Sequence, residues 1–349
     1  MRIAIAAGLL FIGQLFMPAS IALAASFDCT RATTPFERAI CDNADLSAAD
    51  DRLALTYETA LGGLSEPARE QMRGDQRRWL AFAQQACSPG ARPLSSGAYS
   101  EAGLSCLIDV FSDRSRVLET SRIIDGYRYY PTSRYAALPD PYEAANPESY
   151  WPVARHEVSY PQLDGTVPFH AAFNDFVAEK SYALSDIPAD SGDPGAVDET
   201  SDTYVSMGVS DTSTGRRITL DVTTYWYGHG AAHGNGMTFF LHWLSDEERE
   251  VVATDIFDKP GWEGALLKKV TAALRAQHGS FLMLDDPQDI AEVVINPERW
   301  DLSDPYDLVV TFGPYEVAAY AYGSPTARIA WDDLAELTAD GADGVRYGY

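Results

Sequence analysis

The stretch richest in groups that could do chemistry is Tyr225-Trp226-Tyr227-Gly228-His229-Gly230-Ala231-Ala232-His233-Gly234, followed by Asn235. Three consecutive aromatics leave a predicted strand and enter a glycine-rich turn that carries two histidines. Aromatic side chains on a constrained loop offer a large contact area at low entropic cost, which suits partner recognition. The H-x-x-x-H spacing of His229 and His233 would suit a metal if the segment were helical, with His242 as a third ligand. The glycines argue against a helix and no acidic residue lies between the histidines, so structural or interface roles are favoured and no metal is expected. The aromatic loop has an ordinary reading as well, with Tyr225 and Tyr227 packed as sheet core and the glycines serving turn geometry. Sequence alone leaves both open.

No other segment singles itself out for catalysis. Carboxylates are too numerous to pick a pair, and Asp285-Asp286, Asp301 and Asp304 read as solvated surface. There is no G-x-S-x-G elbow, Walker loop or dinucleotide fingerprint. The expectation is a binding protein, neither an enzyme nor the carrier of a cofactor. A formal net charge of -25 disfavours nucleic acid and anionic lipid as partners and favours cationic ones, whose encounter it would speed.

The elements that must position this loop follow from the pattern. Arg2, the apolar run Ile3 to Phe16 and the small-residue site Ala22-Leu23-Ala24 have the order of a secretory signal peptide over residues 1–24, implying a periplasmic or secreted chain that is soluble after cleavage. An even set of cysteines, Cys29, Cys41, Cys87 and Cys106, reads as disulfides in that setting. Sequence leaves three connectivities possible, of which the local pairs Cys29–Cys41 and Cys87–Cys106 are favoured. Residues 25–124 read as a small helical domain stapled by these cysteines. Its apolar faces run through Leu46, Leu53 and Tyr57, then Met72, Trp79 and Phe82, then Leu104, Leu107, Ile108, Phe111 and Leu118. Residues 125–150, with four prolines among six tyrosines and no period, read as a semi-rigid linker. Residues 151–349 read as an α+β domain with an antiparallel sheet. Strands are expected at Tyr204 to Val209, Ile218 to Trp226, Met237 to Leu244, Leu308 to Phe312, Tyr315 to Ala321 and Ala327 to Ile329. Helices are expected at Trp262 to Gln277 and Trp331 to Leu337, and a mobile acidic loop at Ser185 to Asp202.

Two resemblances bear on function. Phe27-Asp28-Cys29, Glu37, Ile40-Cys41, Leu46, Asp50, Leu53, Tyr57, Gln76-Arg77, Trp79-Leu80, Cys87 and Cys106 resemble the LprI-type lysozyme-inhibitor family over roughly residues 27–120. That family commonly has an arginine four residues after the tryptophan, where this chain has Ala83. The departure implies weak binding by the first domain or a supporting role for it. From about Tyr160 to Leu337 the chain resembles the extracellular domain of RsiV, an anti-sigma factor that senses lysozyme by binding it. The resemblance rests on Tyr160-Pro161-Gln162-Leu163, Phe173-Asn174, Gly230-Ala231-Ala232-His233-Gly234, Asp255-Ile256-Phe257, Phe312-Gly313-Pro314-Tyr315-Glu316-Val317-Ala318, Tyr320-Ala321 and Gly323. With no anti-sigma segment or deacetylase domain recognised, it implies lysozyme binding without signalling across a membrane. The expected function is therefore a periplasmic lysozyme inhibitor that occludes the enzyme's cleft, with Tyr225, Trp226, Tyr227, His229, His233 and Asn235 at the interface. Peptidoglycan is a further candidate partner. The alternatives are a cell-wall glycan-binding module that stacks sugars on Trp226 and its tyrosines, and a metal-dependent hydrolase built on His229 and His233.

Overall fold

A computed structural model describes residues 25–146, 149–150, 152–188 and 197–348. The signal peptide expected at residues 1–24 lies outside the described residues, as do residues 189–196 of the loop expected to be mobile.

The N-terminal region is helical because each helix has a local start signal and an apolar face. Helix α1 (Pro35–Asp42) begins at Thr34, whose hydroxyl accepts the Glu37 N–H while the Glu37 carboxylate accepts the Thr34 N–H. Asn43, Ser65 and Ser100 cap α2 (Ala44–Leu61), α3 (Glu66–Ala86) and α4 (Glu101–Leu118), each side-chain oxygen accepting one backbone N–H of the first turn without the reciprocal bond. Their inner faces bring together Leu46, Leu53, Met72, Trp79, Phe82, Leu107 and Phe111. Trp79 meets Phe111 edge to face at 5.0 Å between centroids. The disulfides are the two local pairs, Cys29–Cys41 and Cys87–Cys106. The second pins the end of α3 to α4, and a crosslink of this kind stabilises by about 2–4 kcal/mol.

A seven-stranded sheet follows: β1 (Arg122–Ile124), β2 (Tyr127–Pro139), β3 (Val153–Asp164), β4 (Ser201–Asp211), β5 (Arg217–Gly228), β6 (Asn235–Leu244) and β7 (Arg249–Glu250). The strands lie in chain order. Every pairing is antiparallel except β3 with β4, which are parallel. A parallel pair needs a crossover, and helix α5 (His170–Ala183) lies in that connection. The chain is thus a disulfide-stapled helical region followed by an α+β region, its main sheet carrying one parallel pair rather than being wholly antiparallel.

The segment read as a linker is mostly strand β2. Its residues are buried on both sides, Tyr129 toward α5 and Tyr130 toward the helices, so no polar alternation marks it. The proline inside it, Pro131, costs no ladder bond. Pro131 stands directly opposite Pro161, which must be a position where the two strands exchange no N–H bonds.

The C-terminal part adds α6 (Trp262–His278), α7 (Ala291–Ile295) and a second sheet in the order β10-β9-β8. Its strands are β8 (Trp300–Asp301), β9 (Asp307–Thr311) and β10 (Thr326–Ala330). The expected strand at Tyr315 to Ala321 is absent. Tyr315 has a φ of 69°, which breaks an extended run, and a 3-10 turn follows at Tyr320–Tyr322. The closing helix is shorter than expected, α8 (Trp331–Leu334), and α9 (Ala342–Tyr347) follows. Phe257, Trp262, Trp300 and Trp331 form the aromatic centre of this part.

Helix α5 packs on one face of the main sheet over Val158, Leu163, Val205, Leu220, Val222 and Trp243. Part of the other face is covered by the helical region, and the seam has a polar centre, around Arg114 and Asp75, whose buried side-chain groups are all hydrogen-bonded. Arg114 of α4, fully buried, donates to Asp75 at 2.8 Å, Gln76 at 2.9 Å and the Tyr135 hydroxyl at 2.9 Å. Asp75 also accepts the Ser133 backbone N–H at 3.2 Å. At the edge of the seam Arg128 donates to the carbonyls of Ala60 and Gly62 at 3.0 and 2.9 Å. A buried charge without its partner costs several kcal/mol, so this network holds the helices to β2 in one arrangement.

Candidate partner-binding surface at the hairpin end

Strands β5 and β6 form a hairpin whose turn end carries the aromatic and histidine segment. Tyr225 pairs with Gly236 and Trp226 with Asn235, and residues 229–234 form the connection. Two glycines are required by packing rather than by turn geometry. A Cβ at Gly234 would collide with the Tyr225 ring, and one at Gly228 would stand 2.8 Å from the Trp226 ring. Each aromatic therefore packs close against a bare stretch of backbone, Tyr225 across the hairpin and Trp226 along its own strand. Both stay about half exposed, at 43% and 47%.

The two histidines have different roles. His229 is an internal clamp, with its side chain only 4% exposed. Its Nδ1 lies 2.6 Å from Asp140 Oδ2 and its Nε2 3.4 Å from Asp202 Oδ1, while its backbone N–H donates to Thr200 at 2.9 Å. Asp140 also accepts the backbone N–H groups of Tyr142 and Glu143 at 2.7 and 3.0 Å. Burial opposes ionisation of Asp140, but the hydrogen bonds from His229 and those amides outweigh it and hold its carboxyl below the usual range. The clamp fastens the hairpin to the end of β2 and the start of β4.

His233 is exposed and faces the C-terminal part. Its ring stacks on Tyr320 at 3.9 Å, and Tyr320 donates to the Gly234 carbonyl at 2.8 Å. His233 Nδ1 lies 2.9 Å from the Gly234 carbonyl, which assigns the proton to Nδ1 and leaves Nε2 to accept from the Tyr315 hydroxyl at 3.3 Å. Two short motifs more than eighty residues apart in sequence, one around His233 and one around Tyr315, thus meet at the hairpin end. Nearby, Glu316 accepts the Gly313 N–H at 2.7 Å and pairs with Arg299, fixing the turn that presents Tyr315.

The six residues singled out by sequence therefore divide. Tyr225, Trp226, His233 and Asn235 are exposed, Tyr227 is half-buried with its hydroxyl donating to Ala231 at 3.1 Å, and His229 is inside. His242 is remote from both other histidines in its bonding. It is buried between Thr219 at 3.0 Å and the Trp300 carbonyl at 2.8 Å. Burial, reinforced by the nearby Arg217 charge, pushes its pKa down to about 3. Among the described residues no three histidine, cysteine, aspartate or glutamate side chains gather in a metal-binding group.

Sequence reasoning missed several residues here. Tyr315 and Tyr320 complete the His233 stack, and Tyr142 is 81% exposed beside Trp226. A cleft of about 370 Å³ lies between Asp140, Tyr142, Glu143, Trp226 and Gly230. The tyrosine-rich composition of residues 125–150 was the available signal for Tyr142.

In the helical region the motif residues serve the fold. Trp79 and Ala83 are buried, Gln76 orients Arg114, and Asp50 accepts the Ser26 N–H at 2.8 Å. Among the described residues no helix is long and apolar enough to cross a membrane.

Comparison with known proteins divides along the same line. Residues 29–118 match the family described as lysozyme inhibitor LprI, and residues 254–332 match a protein family of unknown function, DUF3298. No curated protein matches the chain. Among solved structures, a DUF3298 family protein from Pseudomonas aeruginosa PAO1 is similar at 15% identity and a TM-score of 0.42, and one from Bacteroides fragilis NCTC 9343 at 14% and 0.43. Each likeness covers 64% of this chain and 98% of the other. This chain is thus similar in its helical third to lysozyme inhibitors, and near its C-terminus to a family without an assigned function.

Proposed function

We propose that this chain is a lysozyme-binding protein of the cell envelope or exterior that inhibits the enzyme by occluding its cleft. The observation that carries the reading is the match of residues 29–118 to the lysozyme-inhibitor family, in a region whose two disulfides are both formed. Two physical features support it. A net charge of -25 attracts a cationic enzyme over distances of a Debye length and speeds encounter. Half-exposed Tyr225 and Trp226, held over glycine backbone, are rigid aromatic anchors of the kind that dominate interface energetics. In this reading the helical region secures the sheet, the hairpin end makes contact, and inhibition requires no bond making and no cofactor.

The test is a muramidase assay with several lysozymes and the purified full chain. The proposal expects stoichiometric, saturable inhibition of at least one of them, weakened by salt because steering is electrostatic. Unchanged hydrolysis by every lysozyme, with the chain in large excess, would remove the proposal. The cell-wall glycan reading leans on the same exposed aromatics and predicts instead retention on peptidoglycan when lysozyme is absent.

A further inference from the structure

The sheet face that carries the helical region is only partly covered. Across strands β2 to β5 the register places Tyr135, Glu157, Tyr204 and Tyr225 in one row. Tyr135 lies under the helices, stacked on Phe82 at 4.9 Å. The rest of the row is open to a groove of about 530 Å³ between the sheet and α4. Helix α4 turns Asp113, Arg116 and Val117 toward it, residues at helical spacing on one face, and Thr120 follows just past its end. The opposite wall holds Arg155, Asp202 and Ser206 beside the row.

The charges of this groove do not balance. Arg116 is paired with Asp113, and Arg155 with Asp202 at 3.6 Å. Glu157, at the centre of the floor, has neither an ion pair nor a side-chain hydrogen bond among the described residues. Tyr204 and Tyr225 stand directly across from each other and remain 36% and 43% exposed. A carboxylate that makes no ion pair, beside two tyrosine rings, is the combination that holds an ammonium or guanidinium group: one ion pair, plus ring faces attractive to a cation.

We propose that the groove between α4 and the sheet receives a lysine or arginine side chain of the cationic protein partner, with Glu157 as its counter-ion and Tyr204 and Tyr225 as its walls. This deepens the lysozyme-binding reading and rests on it for the partner's identity. It adds a second contact, since Tyr225 reaches both the groove and the hairpin end. The environment of Glu157 agrees. Burial first pushes its carboxyl up to about 7, Arg155 and Arg114 acting against that shift and Asp113 and Asp202 adding to it. An incoming cation would reverse the shift, so occupation of the groove should draw a proton off Glu157 near neutral pH. The other titratable groups facing it are Arg116 of α4, Tyr135 of β2, Tyr204 of β4 and Tyr225 of β5.

The test uses the full chain and two probes, tetralysine and lysozyme, with variants Glu157→Gln and Tyr204→Ala and the exposed control Asp285→Asn. By calorimetry at low ionic strength, tetralysine affinity should fall about tenfold in Glu157→Gln and several-fold in Tyr204→Ala, and stay unchanged in Asp285→Asn. Binding by the parent should weaken as pH drops from 8 to 6, with proton release visible as a buffer-dependent heat, and Glu157→Gln should show neither. Equal affinities in all three variants would overturn the groove as a site, leaving only diffuse attraction to an acidic surface. If tetralysine follows this pattern but lysozyme does not bind, the groove stands and the lysozyme reading fails. If lysozyme binds Glu157→Gln as tightly as the parent, the groove is not where that partner docks.

Discussion

One face of the main sheet is put to two uses. Over β2 it is sealed: Arg114 and Asp75 pair in the interior, and Gln76, Ser133 and Tyr135 take up their remaining hydrogen bonds. Over β3, β4 and β5 the same face stays open, with Glu157 in no ion pair among the described residues and two tyrosines partly exposed. Both halves contain an acid, an arginine and tyrosines, so composition does not distinguish them. Completeness does. A buried network with every partner present fixes one packing arrangement, whereas a lone carboxylate at the rim of that packing is costly to keep and is relieved by a cation from outside.

The largest expected effect tests the sealed half. Arg114→Ala leaves buried Asp75 with only the largely exposed Arg78 as an ion-pair partner, at 3.2 Å, and should destabilise the chain by about 3–5 kcal/mol in urea unfolding. Because the seam joins helices to sheet, the parent should unfold in one transition monitored by tryptophan fluorescence and by circular dichroism. Two separate transitions, or a helical fragment that stays folded after a cut between β1 and β3, would break the seam's role and restore a linker there.

The next effect concerns pH. His242 is neutral and buried, with its pKa pushed down to about 3 from an ordinary value near 6.5. Between those values the unfolded chain binds a proton that the folded chain does not, so stability must fall as pH drops through this window. The loss should reach roughly 2–4 kcal/mol by pH 4. His242→Gln should flatten that slope; an unchanged slope would assign the acid sensitivity to other groups.

Smaller still, and on the open side, Trp226→Ala should cost about 2 kcal/mol of lysozyme affinity, roughly thirtyfold, with little change in stability. His229→Ala should do the reverse, costing about 1–3 kcal/mol of stability by leaving Asp140 Oδ2 without its imidazole partner and altering affinity only through loosening of the hairpin. If His229→Ala leaves stability intact, the clamp is not what fixes this end of the sheet.

The helical region was legible because its evidence is local. Caps at Thr34, Asn43, Ser65 and Ser100 precede apolar faces of period 3.6, and the cysteines pair with near neighbours in sequence. Strand β2 was not legible, because burial on both faces erases alternation and its prolines look like breakers. The run from Tyr315 to Ala321 misled in the opposite direction, since its alternating residues suit a strand while the positive φ at Tyr315 forbids one. The candidate surface was half legible. Aromatics and glycines marked the hairpin end, but nothing near His229 in sequence reveals Asp140, 89 residues away, and nothing near Tyr225 reveals Glu157. Those partnerships belong to the sheet register, which sequence pattern does not supply.

The most direct measurement is hydrogen exchange of the full chain with and without saturating lysozyme. The account predicts added protection at residues 225–235, at 201–206 and in the last turn of α4, with the sealed seam around Ser133 unchanged because it is protected already. Protection confined to α1 and α2, or none at any lysozyme concentration, would contradict it.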